Sequence, residues 1–297
     1  MIIDIHTHTP THREAVPAAE ETWTTVARPD RHAKVTVSWD EYDERARQAG
    51  VDISVVFNIA TLDPGSDTGL PGDPARINDT TAEFVAAAPD RRIGFLSVHP
   101  EHPAARDEFE RSVSDLGLRG VKLGPNYQNF DPLGDAADWI YGEAERRGMP
   151  ILFHQGASPI RHAPLRYAHP LTIDQIAIRH PDLRIVMAHM GHPWQADTIV
   201  VIRKHPNVYG DVSALYYRPW SFYSGMRLAT EWSVLHKLLL GSDYPIIDPQ
   251  ETIDGLRHVN DIVRGTALPT VPEDALEEII HRDSLALLGL RPESSAQ

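Results

Sequence analysis

The 297-residue sequence contains no cysteine, which excludes disulfide bonds and thiolate metal ligands. Any metal site in this chain must therefore be built from histidine, aspartate, glutamate or a modified lysine. The missing cysteine says little about the compartment in which the protein works.

Positive charge and long apolar runs are also scarce. The 28 Lys and Arg residues are outnumbered by 42 Asp and Glu, and no basic run or stripe is present. Nucleic-acid binding needs clustered Lys and Arg to replace counterions, so a nucleic-acid partner is not expected. No window approaches about 18 apolar residues, and the start of the chain lacks the pattern of a signal peptide. We therefore expect a soluble, cytoplasmic protein with no membrane partner.

Strand-like and helix-like segments alternate along the whole chain. The predicted strands are Ile2–His6, Ile53–Asn58, Ile93–Val98, Gly120–Leu123, Ile151–His154, Arg184–His189, Val208–Val212 and Leu238–Asp243. The predicted helices are Asp40–Ala49, Pro74–Ala88, Ala104–Leu116, Asp135–Arg147, Ile173–His180, Ala196–His205, Phe222–His236 and Glu251–Val263.

Eight such units predict an α/β fold of the (β/α)8 TIM-barrel class, with parallel strands inside and helices outside. A doubly wound open sheet is the alternative, but it more commonly has fewer strands. We expect a single domain over residues 1–297 with long loops after the strands. The irregular segment 9–39 is a candidate lid, and 292–297 is expected to be a flexible tail.

The first predicted strand ends in the sequence Asp4-Ile5-His6-Thr7-His8. Alternation along a strand places Asp4, His6 and His8 on one side. His6 and His8 could together bind a metal ion. For these two residues alone, it would be an equally good interpretation that one is a hydrogen-bonded core histidine and the other caps a loop. Three further strands, however, also end in ionisable residues, namely His154, His189 and Asp243. Burying isolated ionisable groups is costly, so four strands that do so indicate one shared site.

Five motifs follow one another along the chain: Asp-Ile-His-Thr-His at 4–8, Gly-Val-Lys-Leu-Gly-Pro at 120–125, Leu-Phe-His-Gln-Gly at 152–156, Ala-His-Met-Gly-His at 188–192 and Gly-Ser-Asp-Tyr-Pro at 241–245. In this order and spacing they resemble the amidohydrolase superfamily, and specifically its amidohydrolase-related branch. That branch contains hydrolases and nonoxidative decarboxylases similar to aminocarboxymuconate semialdehyde decarboxylase. The resemblance spans nearly the whole chain.

The resemblance implies that His6, His8, His154 and Asp243 bind one divalent metal ion. Zinc is expected first, and manganese, cobalt or iron would suit the same ligands. His189 matches the position that orients or deprotonates the metal-bound water, and the carboxylate at the Asp243 position also handles a proton. A cation lowers the pKa of bound water toward neutrality, and a nearby histidine can accept or return the proton.

Lys122 has several interpretations. In binuclear members of the superfamily a fourth-strand lysine is carboxylated and bridges two metals. In the mononuclear branch this position is more suited to hydrogen bonding with substrate, and an ordinary buried lysine also fits the sequence. His192 is either a second ligand, a substrate contact or a loop residue, and we favour the last two.

Several residues in loops after the strands are candidates for substrate binding, because Arg pairs well with carboxylates and Tyr flanks planar groups. Packing on the surface is the alternative for each of them. The set comprises Lys122, Asn126, Gln155, Arg161, Arg166, His192, Tyr217 and Arg218. His99, at the end of the third strand, could also line the pocket.

Three functions compete. The first is a metal-dependent hydrolase, in which an activated water attacks an ester, lactone or amide of a small, carboxylate-bearing substrate. The second is nonoxidative decarboxylation of an unsaturated or aromatic acid with the same ligands. A remote third is a non-catalytic, metal-stabilised binding protein. A homodimer is suggested only by the resemblance.

Overall fold

The computed structural model describes residues 1–21, 34–62, 73–158 and 160–291, and within them eight strands form one sheet. All paired strands are parallel, and each lies beside the next one in the chain. The strands are β1 (Ile3–His8), β2 (Ile53–Phe57), β3 (Arg92–Leu96), β4 (Gly120–Leu123), β5 (Ile151–Phe153), β6 (Ile185–Met187), β7 (Val208–Asp211) and β8 (Leu238–Leu239).

The first and last strands approach each other and nearly close the sheet into a barrel. The backbone N–H of Ile5 donates to the carbonyl of Leu240 at 3.0 Å. Beyond it, the N–H of His8 donates to the carbonyl of Tyr244 at 2.7 Å. The predicted (β/α)8 TIM barrel is therefore confirmed, and the carboxyl ends of its strands form one face.

Helices follow the strands, as predicted from the alternation. They are α1 (Trp39–Gln48), α2 (Pro74–Ala86), α3 (Ala105–Ser114), α4 (Pro125–Gln128), α5 (Asp135–Arg146), α6 (Leu171–Arg179), α7 (Gln195–Lys204), α8 (Pro219–Glu231), α9 (Pro249–Arg257), α10 (Glu273–Ile280) and α11 (Ser284–Leu287). Asp248 begins α9 with a capping box: its side chain accepts from the first turn, while Glu251 binds back to its N–H.

Two predicted helices extend too far, and three short ones are not predicted. The helix predicted to end at His236 ends at Glu231, and Ser233 then takes a left-handed φ of 56°. The helix predicted to reach Val263 ends at Arg257. Apolar residues continue with helical spacing beyond both ends, which explains the overextension. The additional helices are α4, α10 and α11.

The apolar core has two parts. A large cluster lies between the strands and the surrounding helices and includes Phe84, Phe109 and Tyr141. A smaller cluster joins inward-facing strand residues such as Ile5 to Leu285 of α11. Burial of such side chains supplies most of the stabilising free energy, at about 25 cal/mol per Å². The smaller cluster also fills the barrel below the carboxyl face.

The candidate lid, 9–39, is described only at its two ends. There His12 pairs with Ser38 in an isolated bridge, and the N–H of Trp39 donates to the carbonyl of His12 at 3.0 Å. Residues 22–33 of the lid and the predicted tail 292–297 lie outside the described residues. Among the helices of the described segments, none is long and apolar enough to cross a membrane.

Candidate active site

A cavity of about 430 Å³ lies at the carboxyl face of the barrel. Most of the residues that line it belong to one of two chemical groups. The ionisable group comprises His6, His8, Lys122, His154, His189, His192, Arg218 and Asp243. The apolar and aromatic group comprises Ile59, Tyr127, Ala157, Ile160, Ala214, Tyr217 and Ile246. The volume is in the usual range for small-molecule sites, which are mostly apolar with a few polar groups.

Three of the predicted metal ligands converge. The Nε2 atoms of His6 and His8 lie 3.4 and 3.2 Å from Oδ1 of Asp243. Each of the three residues offers one atom that could bind a metal, and these three atoms all lie within 4.8 Å of one another. Two strand ends on opposite sides of the barrel closure therefore bring three donors to one point.

The first strand is less regular than simple alternation predicts, since its pairing with β2 shifts between Asp4 and Thr7. Asp4 is buried but does not join the described lining of the cavity. Its Oδ1 instead accepts from the backbone N–H groups of His6 and Ser242, at 3.1 and 2.9 Å. Burial raises the pKa of Asp4 to about 6. Asp4 thus ties β1 to the segment that carries Asp243.

Asp211, which the sequence analysis did not select, lies behind these ligands. Its Oδ2 accepts from Nδ1 of His6 at 2.8 Å. Its Oδ1 accepts from the backbone N–H groups of His189 and Ser213 and from the Ser213 hydroxyl. A carboxylate on the far nitrogen of a histidine fixes the tautomer and directs the other nitrogen forward. The signal was available, because Asp211-Val212-Ser213 is a fifth strand end with polar residues.

His189 has a similarly fixed ring. Its Nδ1 lies 2.8 Å from the Ser213 hydroxyl, which donates onward to Asp211, so Nδ1 carries the proton and donates to the hydroxyl. Burial lowers the pKa of His189 to about 4, and positive charge on His6 and Lys122 acts in the same direction. His189 is therefore neutral near pH 7, with Nε2 as a proton acceptor.

His154 carries an atom that needs a partner. It is 5% exposed, and its Nε2 is buried with no hydrogen-bond partner among the described residues. Burial also holds its pKa well below the ordinary value. Neutral imidazole is a good ligand for divalent cations, and a buried polar atom without a partner is costly. The donor set of His6, His8, Asp243 and His154 therefore fits a divalent cation.

Lys122 lies beside this group and is 1% exposed. Its Nζ is 3.4 Å from Nε2 of His6 and 4.5 Å from the centre of the Phe57 ring. Burial lowers the pKa of Lys122 to about 7, although Asp211 and Asp243 oppose the shift. The chain thus places a readily neutralised amine next to a predicted metal ligand.

The predicted substrate contacts separate into two groups. Besides Lys122, those that line the cavity are Gln155, His192, Tyr217 and Arg218. Arg161, Arg166 and Asn126 are outside the lining formed by the described residues, so their contact with substrate stays a prediction.

Local contacts explain some of these positions. The guanidinium of Arg166 lies over the Tyr167 ring at 4.3 Å and donates to its hydroxyl, which keeps it on an exposed turn. His99 also lies outside the described lining, because its Nε2 donates to the carbonyl of Gln128 at 2.8 Å.

Comparison with known proteins gives one family over nearly the whole chain. The model of the family described as Amidohydrolase matches residues 3–290. A gamma-resorcylate decarboxylase of Rhodococcus jostii (strain RHA1) is 27% identical over 175 residues, which cover 48% of this chain and 51% of that protein. The match thus spans about half the length of this relative.

Solved structures share the fold at low identity. A dihydroxybenzoic acid decarboxylase from Polaromonas sp. JS666, with bound manganese and the inhibitor 2-nitroresorcinol, is 18% identical, with a TM-score of 0.63 and coverage of 100% of this chain and 99% of that chain. A probable 2-pyrone-4,6-dicarboxylic acid hydrolase from Acinetobacter baumannii, with citric acid bound, is 15% identical, with a TM-score of 0.63 and coverage of 97% and 99%. The barrel, the converging ligands and the family match lead to one conclusion: this chain is an enzyme that belongs to the amidohydrolase family.

Proposed function

We propose that the protein is a metal-dependent nonoxidative decarboxylase of a small, hydroxylated aromatic acid. One observation carries this proposal: the cavity joins a cluster of ionisable groups to walls such as Ile59, Tyr127 and Ile246. A flat ring fits between apolar walls, while its carboxylate and hydroxyl oxygens need the polar end. The sequence similarity to a gamma-resorcylate decarboxylase supports the same substrate class.

His6, His8, His154 and Asp243 are the residues that would hold the cation. When bound, it supplies positive charge that orients an anionic substrate and stabilises negative charge that develops during the reaction. Manganese and zinc both suit this set of nitrogen and oxygen ligands. Asp211 keeps His6 in the tautomer that directs Nε2 toward the site.

Two lining residues are suited to the oxygen substituents of the acid. Arg218 lies over the Tyr217 ring at 4.4 Å, which places a guanidinium beside an aromatic wall. Gln155 is fully buried, and neither its amide nitrogen nor its amide oxygen has a partner among the described residues. An amide that offers both a donor and an acceptor matches a phenolic hydroxyl.

The reaction requires one proton at the ring carbon that bears the carboxylate. His189 can take up this proton at Nε2 when the anionic substrate binds, because a nearby negative charge favours the protonated ring. The proton then forms the new C–H bond as the C–C bond to the carboxylate breaks. The electron pair of the broken bond stays with the ring, and carbon dioxide leaves. Asp243 stabilises the protonated form of His189 electrostatically.

Hydrolysis is the second candidate, and one observation favours it. His189 is neutral and presents Nε2 as an acceptor, which is what a general base for water requires. The same ligands would serve a lactone of a dicarboxylic acid. The two reactions differ in their products, so one set of assays separates them.

The test begins with the metal content of gently purified protein, measured by elemental analysis, where we expect about one divalent ion per chain. The manganese- and zinc-loaded forms are then mixed with 2,6-dihydroxybenzoate and related hydroxybenzoates. We expect carbon dioxide and the corresponding phenol in equal amounts, and no product after chelation. Opening of 2-pyrone-4,6-dicarboxylate without any release of carbon dioxide from the benzoates would instead establish hydrolysis.

A further inference from the structure

His192 lines the cavity from a loop whose backbone is held on both sides. Its N–H donates to the carbonyl of His189 at 2.9 Å, and its own carbonyl accepts from the N–H of Ala157 at 2.7 Å. The loop after β5 passes so closely that a Cβ on Gly156 would lie 2.2 Å from the carbonyl oxygen of His192. Main-chain contacts alone therefore fix the backbone position of His192.

Two further side chains hold the imidazole ring. Nε2 of Gln195, at the start of α7, lies 2.9 Å from Nδ1 of His192 and 3.0 Å from Oγ of Ser221 in α8. Oγ of Ser221 is also 3.2 Å from the same Nδ1. Gln195 is only 7% exposed, so its amide is shielded from solvent and stays in contact with His192 and Ser221. Neither residue was selected from the sequence.

These contacts determine which nitrogen carries the proton. The amide nitrogen of Gln195 has two N–H donors and no lone pair to offer, so it donates one to Nδ1 of His192 and one to Ser221. A neutral imidazole that accepts at Nδ1 carries its proton at Nε2. His189 has the opposite tautomer, since its Nδ1 donates to Ser213. The two neighbouring histidines thus offer one acceptor and one donor.

We propose that Gln195 and Ser221 are positioning residues that hold His192 so that its Nε2–H donates to an oxygen substituent of the aromatic acid. This inference rests on the proposed function and refines it: the enzyme selects acids with an acceptor oxygen at the ring position facing His192. A ring without that oxygen cannot accept this hydrogen bond, which lowers its affinity.

The tautomer is tested first, because it does not depend on the substrate. Zinc-loaded protein labelled with ¹⁵N-histidine is studied by long-range ¹H–¹⁵N NMR, and His192→Asn assigns the His192 signals. We expect wild-type His192 to have an unprotonated Nδ1 and a protonated Nε2. In Gln195→Met, which keeps the length of the side chain but removes the amide, we expect a mixture of both tautomers.

Two other variants make this test specific. Gln48→Met makes the same chemical change on the exposed end of α1 and should leave the His192 signals unaltered. Gly225→Ala leaves Gln195 itself unsubstituted but displaces its side chain, because the new Cβ would lie 3.1 Å from Cγ of Gln195. Gly225→Ala should also give a mixture of both His192 tautomers. It tests the same contact if Gln195→Met fails to fold. A protonated Nδ1 in the wild type, or an unaltered tautomer in the folded variants, overturns the positioning role.

Binding of the acid is tested next by calorimetry, with 2,6-dihydroxybenzoate and benzoate as probes. We expect Gln195→Met to weaken binding of 2,6-dihydroxybenzoate about tenfold, with binding of benzoate and the behaviour of Gln48→Met unaltered. Equal weakening for both probes overturns the selective role of His192. Failure of the wild type to bind either probe contradicts the proposed substrate class, while the NMR result still decides whether Gln195 positions His192.

Discussion

Two groups of buried polar side chains differ in how far the protein itself satisfies them. The first, here called the helix network, links α2 and α3 to β3 and consists of the buried Asn78, Ser97, Glu108 and Ser112 together with the partly exposed Arg111. The carboxylate of Glu108 accepts hydrogen bonds from Asn78 at 2.8 Å, from Arg111 at 2.8 Å and from Ser112 at 3.0 Å. Asn78 in turn accepts from the N–H of Ser97 at 2.9 Å.

The second group lies at the carboxyl face. His154 and Gln155 are as deeply buried as the helix network, yet Nε2 of the first and the whole amide of the second have no partner among the described residues. An unsatisfied buried group costs about 1–3 kcal/mol. The comparison teaches that buried polar groups contribute to stability where their hydrogen bonds are internal. Where their hydrogen bonds are left open, we expect them to contribute to ligand binding. Substitutions in the two groups should therefore separate stability from activity.

The largest effect is expected at Asp243. In Asp243→Ala the predicted metal site loses its carboxylate, so kcat/KM should fall at least 1000-fold, on the order of 4 kcal/mol or more in transition-state free energy. Elemental analysis should show substoichiometric metal. As a control, Asp174→Ala removes an aspartate that pairs with Lys204 and His205 on the outer surface, and activity should stay within twofold. Full metal content and activity in Asp243→Ala would refute the ligand assignment.

Glu108→Ala should produce the next largest effect, on stability alone. It removes the acceptor of hydrogen bonds from Asn78, Arg111 and Ser112, although Asn78 keeps the carbonyl of Ser97 and Arg111 keeps Asp79. We expect a loss of about 3 kcal/mol in the free energy of unfolding, measured by urea denaturation. The kcat should not change. Glu110→Ala, on the same helix but exposed, should change the free energy of unfolding far less. A marked fall in kcat for folded Glu108→Ala would show that the two groups are not independent.

A pair of buried glutamines gives the sharpest contrast. Gln128 is satisfied: its amide nitrogen donates to the carbonyls of Ala60 and Val98, and its oxygen accepts from the N–H of Gly124. Gln128→Leu should therefore lower the free energy of unfolding by about 2 kcal/mol. Gln155→Leu should leave it equal or raise it by up to about 1 kcal/mol, because no internal hydrogen bond is lost.

Substrate affinity should show the reverse order for these two variants. Gln155→Leu should raise the KM for 2,6-dihydroxybenzoate about tenfold, whereas folded Gln128→Leu should keep the KM of the wild type. Equal destabilisation by both substitutions, or an unaltered KM in Gln155→Leu, would contradict the proposed difference between the two groups of polar side chains.

The smallest effect is a pH dependence of the helix network. Burial alone would raise the pKa of Glu108, but hydrogen bonds from Arg111, Asn78 and Ser112 outweigh it and lower the pKa below the ordinary 4.5. A carboxyl group with a lowered pKa stabilises the fold above its ordinary value, and this contribution is lost as the pH falls through the folded pKa.

Urea denaturation of wild type and Glu108→Gln over a pH series measures this contribution. The difference in free energy of unfolding between them should be constant near neutral pH and shrink as the pH falls below 4.5. A difference that does not vary with pH would mean that the carboxylate charge adds nothing to the network.

The alternation of segments predicts most of the barrel, and β4 has the predicted bounds, Gly120–Leu123. Strand ends next to the site are predicted less well. The strand expected to reach Asp243 ends at Leu239, and Asp243 has a left-handed φ of 72°. Local propensity does not indicate such a backbone, because it is maintained by surrounding contacts such as the hydrogen bond from the Asp243 N–H to the carbonyl of His6.

The convergence of His6, His8 and Asp243 follows from polar residues at strand ends, which parallel barrels bring to one face. The supporting contacts do not follow in this way. Gln195 reaches Ser221 only because α7 and α8 lie side by side, a relation that depends on packing between helices 26 residues apart at this contact. Fold-level patterns therefore predict which residues converge, while the residues that orient them are found only in the three-dimensional structure.

The close approach of Gly156 to the carbonyl of His192 has a consequence for redesign of this enzyme. A library that randomises position 156 would lose most of its members, because any side chain there collides with the carbonyl oxygen of His192. Any change at position 156 therefore requires a matching shift of the backbone at His192. The apolar walls contributed by Ile59 and Ile246, which belong to other loops, are the better starting points for altering substrate scope one residue at a time.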